Sequence, residues 1–174
     1  METIALNYAP LAPDESRAYR EAGHAVMARE LALPCHRADG APRHQFATFR
    51  DYCREATQRG EPPLAPIRSY IRFLMAGPAA ELLRLELHHG LDRRSAGRTR
   101  FRRHWLQRRQ ARPDAAIDWA FSIVMGWFCH GRQRIAAERF EEFWNAAVEA
   151  YQYPTLWRAV EQTAAELVRH GAPS

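Results

Sequence analysis

The chain contains no lysine, so its whole Lys+Arg count of 25 is arginine. A P-loop needs its lysine to hold nucleotide phosphates, which excludes an ATP site of that kind in this chain. Long apolar runs are also missing. The most apolar stretch, Trp119 to Cys129, is broken by Ser122 and Gly126 and is too short to cross a bilayer, so no membrane span is expected. Met1-Glu2-Thr3 has neither the basic nor the apolar region of a secretory signal, and we expect a soluble, cytoplasmic protein. Cysteine is scarce. Cys35, Cys53 and Cys129 are odd in number and form no C-x-x-C pair, which favours unpaired or buried thiols over a disulfide framework or a thiolate metal centre.

What is present suits one domain with its own core. The 174 residues are 47% hydrophobic, too apolar for a disordered chain. We treat residues 1–174 as a single domain, with 1–13 as an N-terminal tail. The net charge of +5 is uneven: residues 93–112 hold nine arginines and no acid, and the rest of the chain is net acidic.

Periodicity predicts a mainly α fold of about five helices with at most a small β-hairpin. Asp14 or Ser16 can cap a first helix to about Leu31, with Ala18, Ala22, Ala25 and Val26 as a narrow stripe of small residues. Residues 35–62, with Gly40, Pro42, Gly60 and Pro62, are expected to form a connector holding at most one hairpin. A second helix over about 66–88 contains Gly77-Pro78, which should kink it. Three more are predicted over about 113–131, 132–151 and 154–170.

The segment Arg20-Glu21-Ala22-Gly23-His24 carries the chemistry. In an H-E-x-x-H helix two histidines at i and i+4 share one face and bind zinc, and the glutamate takes a proton from the metal-bound water. Here Glu21 and His24 stand at the positions of the base and the second histidine, and Arg20 at that of the first.

With its neighbours, Ala18-Tyr19-Arg20-Glu21-Ala22-Gly23-His24-Ala25-Val26 resembles the zinc helix of the FtsH peptidase family. Leu74-Met75-Ala76-Gly77-Pro78-Ala79-Ala80-Glu81-Leu82 is similar to that family's L-A-G-x-A-A-E-x segment. Asp114, eleven residues before Met125, fits the family's third zinc ligand, and the stretch from Leu156-Trp157-Arg158 to Leu167 resembles its closing helix. The resemblance runs in order from Asp14 to Gly171. It implies a zincin-type helical domain with Glu21 as catalytic base and His24 and Asp114 as metal ligands.

The departures matter as much. This sequence carries neither the transmembrane nor the ATPase module of that family. Pro78 replaces a usual arginine and Pro113 a usual asparagine, and the shortened stretch after the first helix puts the family's substrate-pairing strand in doubt. Guanidinium has no lone pair for a metal and brings positive charge to a cation site. His24 and Asp114 alone fall short of the three protein ligands of a catalytic zinc site, so a conventional zinc centre is not expected. We expect Arg20 instead to bridge Asp114 or Glu81 as an ion pair, replacing the charge of the metal.

Other arrangements compete. Glu21 and His24 could be a helix carboxylate and a core histidine. Asp114 could be a helix N-cap as well as a former ligand, with Asp118 the candidate one turn later. His88, His89 and His104 could rebuild a metal shell, or simply end a helix. Arg98, Arg100, Arg102, Arg103, Arg108 and Arg109, mixed with Phe101 and Trp105, would suit phosphate contact with base stacking, or an acidic protein partner. The plainer alternative turns Phe101 and Trp105 inward at i, i+4. Trp119, Phe121, Trp127, Phe140, Phe143, Trp144 and Trp157 fit a core or an interface with another subunit.

The leading expectation is a degenerate metallopeptidase domain that binds a protein partner and no longer cleaves peptides. The alternatives are an active zinc peptidase with a variant ligand set and Glu21 as base, or a nucleic-acid-associated protein acting through residues 93–112. A homo-oligomer is compatible with each.

Overall fold

The computed structural model describes residues 9–33, 46–62, 64–91, 101–102, 105 and 114–170. Six helices make up these residues, and no strand occurs among them: α1 (Pro13–Glu30), α2 (Phe46–Gln58), α3 (Leu64–His88), α4 (Ala115–Phe128), α5 (Gln133–Ala150) and α6 (Pro154–His170). No helix among the described residues is long and apolar enough to cross a membrane. Arg98, Arg100, Arg103, His104, Arg108, Arg109, Pro113 and Cys35 lie outside the described residues, as do residues 1–8 of the tail.

Helix α3 is the centre of the fold. Its residues 73–83 are buried without interruption, so no face is left for solvent, which marks a core helix. It packs against α1, α2, α4 and α5, while α6 closes over α1 and α5 lies along α4. The helix continues through Pro78, although a proline removes the amide that would bond the carbonyl four residues earlier. Buried neighbours on both sides carry it across.

The contact between α1 and α3 depends on glycine. A Cβ added to Gly23 would lie 2.6 Å from the carbonyl oxygen of Ala76 and 2.7 Å from the Cβ of Ala80. No side chain fits there, so the two backbones meet almost directly. Ala18, Ala22 and Val26 of the expected stripe are buried, and Ala25 is half-buried. From the C-terminal end of α5, the Tyr151 hydroxyl donates to the Gly23 carbonyl at 2.7 Å. Burial of that ring raises its hydroxyl pKa well above the ordinary tyrosine value.

Two expectations are corrected. The N-cap position of α1 falls on Ala12, with Pro13 in the first turn, so neither Asp14 nor Ser16 caps this helix. The connector contains no hairpin among its described residues. It carries α2, whose Phe49, Tyr52 and Ala56 are buried, with Phe49 and Tyr52 against the Tyr70 ring at centroid distances of 4.7 and 6.4 Å.

Phe101 and Trp105 are both buried, and Trp105 stacks on Trp144 at 5.4 Å. Phe140 is buried too, whereas Trp119, Phe121, Phe143 and Trp157 are half-buried against the core. Trp127 stays 55% exposed. Cys53 and Cys129 are free thiols.

Candidate site: an arginine across two buried carboxylates

Ser16 and Arg20 lie one turn apart on the same face of α1, opposite Glu81 on α3. Because Ser16 does not cap its helix, its hydroxyl is available, and it donates to Glu81 Oε1 at 2.6 Å. Arg20 Nη1 donates to the other oxygen, Oε2, at 3.2 Å. The second arm of the guanidinium, Nη2, sits across the Asp114 carboxylate and reaches both of its oxygens at 2.7 Å. Sequence offered Asp114 or Glu81 as the partner. The side chain bridges the two.

Asp114 has a second duty. It is the N-cap of α4, and its Oδ1 accepts from the amides of Ala116 and Ile117, each at 3.2 Å. The cap and the arginine therefore hold one carboxylate together, and the positive end of the α4 dipole adds to the field on it. Burial raises the stakes: the side chains of Asp114 and Glu81 are 3% and 7% exposed, that of Arg20 23%. Two carboxylates so far from water need counter-charge, which Arg20 provides. Asp118, the alternative one turn later, is exposed.

His24 follows Arg20 by one turn and is buried. Its Nδ1 lies 3.0 Å from the Phe73 carbonyl, which can only accept, so Nδ1 carries the proton. The opposite edge of the ring fills the space that Gly77 leaves: a Cβ there would stand 2.3 Å from Nε2 and 2.8 Å from the Arg20 carbonyl. Glu21 is half-buried, and its side chain has no hydrogen-bond or ion-pair partner among the described residues.

This donor set does not fit a zinc ion. Arg20 is itself a cation, both Asp114 oxygens already accept from it, and the His24 ring is packed between Phe73 and Gly77. Among the described residues no three His, Cys, Asp or Glu side chains gather at metal-ligand spacing. At the end of α3, the His89 ring meets the Ala9 carbonyl through Nε2 at 2.8 Å, while His88 is exposed and makes an edge contact with it.

A second buried ion pair was not expected from sequence. Glu86 is fully buried, and Arg102 clasps it with Nε on Oε1 and Nη2 on Oε2, the latter at 2.8 Å. Arg102 is thus committed to the interior and does not belong to an exposed basic patch. Its signal in the sequence was Glu86 itself, an acid on the buried side of an apolar helix. Ser16 was missed because its position suggested a cap, and Tyr151 because an interior tyrosine near a helix end has no motif.

No protein-family model matches this chain, and no curated protein or solved structure matches it either.

Proposed function

We propose that this chain is a degenerate FtsH-type peptidase domain that works by binding a protein partner and does not hydrolyse peptides. One observation carries the proposal: the Arg20 guanidinium lies across Asp114 and Glu81, where a metal-binding helix would present its first histidine. An arginine in that place satisfies the buried carboxylates that a missing cation would leave unpaired. It also takes the oxygens that a metal would need. Glu21 then has no metal-bound water to deprotonate.

The Glu21 side chain, without a partner among the described residues, favours a second reading, an active peptidase in which Glu21 remains the base. The two separate in a cleavage assay. With unfolded casein as substrate and zinc supplied, the wild type and Glu21→Gln should give the same fragment pattern as buffer alone. Cleavage by the wild type that Glu21→Gln abolishes overturns the proposal.

A further inference from the structure

The C-terminal ends of α1 and α5 meet the first turn of α6 around a cavity of about 760 Å³, within the range of roughly 300–1,000 Å³ typical of ligand sites. It is remote from the arginine cluster: Glu30 is ten residues beyond Arg20 on the same helix, a rise of about 15 Å. Met27, Leu31 and Leu156 give the cavity an apolar floor, and Met27 is only 2% exposed. Tyr153, one of the few large exposed apolar side chains, stands at its edge with 67% of its surface in solvent.

The rim is electrostatically unusual. Glu30 ends α1 and Glu149 is the penultimate residue of α5, so two acids sit at the negative poles of two helices, where cations are the stabilising choice. Neither glutamate side chain has a hydrogen-bond or ion-pair partner among the described residues, nor does that of Arg72, the third charge on the rim. Arg72 on the same rim and Arg29 in the last turn of α1 offset part of this charge, but Arg29 is bonded to Ala25 and Thr163 and neither arginine is paired with a rim glutamate. A cation from outside can therefore still pair with them, and the neighbouring Tyr153 ring offers such a cation a second attractive face.

We propose that this cavity is a docking site for a peptide segment of a protein partner that carries an arginine or lysine next to a large apolar residue. The apolar side chain fills the floor, the cation lies between Glu30 and Glu149, and Arg72 receives a carbonyl or acid of the same segment. This names the surface and the partner chemistry for the protein-binding function proposed above, on which it rests.

The test uses the full chain and a fluorescein-labelled peptide of alternating leucine and arginine, read by anisotropy. Wild type should bind it, and the folded double variant Glu30→Gln/Glu149→Gln should bind about tenfold more weakly. The peptide with glutamate in place of arginine should not bind. Equal affinity in the double variant, or equal binding of the acidic peptide, overturns the proposal, as does failure of the basic peptide to bind at all. Self-association of the wild type that the double variant loses, seen by sedimentation velocity, assigns the cavity to a second copy and likewise overturns it. Mass spectrometry of the recovered peptide keeps the two proposals apart: Glu21-dependent cleavage sinks the non-hydrolytic reading and leaves the binding result standing.

Discussion

A buried carboxylate is tolerable only when something compensates its charge, and at Arg20 one side chain does so for two. Its Nη2 serves both oxygens of Asp114, and Nη1 shares Glu81 with the Ser16 hydroxyl. Removing the guanidinium takes the Arg20 ion pairs from both buried acids, so Arg20→Ala should lower stability by roughly 3 kcal/mol in urea denaturation at neutral pH. Adding Asp114→Asn and Glu81→Gln to that variant should recover part of the loss, because two buried charges are then gone. An Arg20→Ala protein as stable as the wild type contradicts the bridge. The participants Arg20, Glu81 and Asp114 were legible in the sequence because they fall at positions of a metal-binding helix motif and of the two downstream segments that resemble the same family. That Arg20 takes both acids at once was not legible, since it depends on how three helices meet. Ser16 was hidden for a local reason: Pro13 starts the helix earlier than a serine cap would.

Between elements, the close approach of α1 and α3 is the feature that positions the site. Gly77 leaves the space that the His24 ring occupies, and Gly23 allows the Ala76 backbone to come near. Gly77→Ala should therefore destabilise the fold by about 3 kcal/mol, because the new methyl would meet both His24 and the Arg20 carbonyl. Thermal denaturation with a far-ultraviolet readout measures this, and a Gly77→Ala protein that melts with the wild type shows that the helices can separate without penalty. The small residues of α1 were readable as a packing stripe, but the partner glycine in α3 first suggested a kink beside Pro78. Helix α2 was misread because glycine and proline flank it at Gly40, Pro42, Gly60 and Pro62. Its own signal, Phe49, Tyr52 and Ala56 at helical spacing, is short and becomes decisive only against Tyr70.

At the scale of the whole molecule, four helices pack around α3, and its buried acids are met by arginines from elsewhere in the chain: Glu81 by Arg20, Glu86 by Arg102. This bears on the one described arginine of residues 93–112. Phe101, Arg102 and Trp105 all turn toward the interior, so the described residues of that segment contribute to the fold. Sequence could give the charge of Arg102 but not its direction, because a solvated arginine and an inward-facing one share the same composition. The mostly helical class was legible from periodicity. The cavity beyond Glu30 was not, because its lining comes from four helices and the turn before α6. The central claim is that a guanidinium stands in for the metal's charge, and the zinc content of the purified wild-type protein tests it most directly. Dialysed against buffer with micromolar zinc and analysed by inductively coupled plasma mass spectrometry, the protein should retain well under one zinc per chain. Near-stoichiometric zinc that is lost on Asp114→Asn or on His24→Ala would contradict the account.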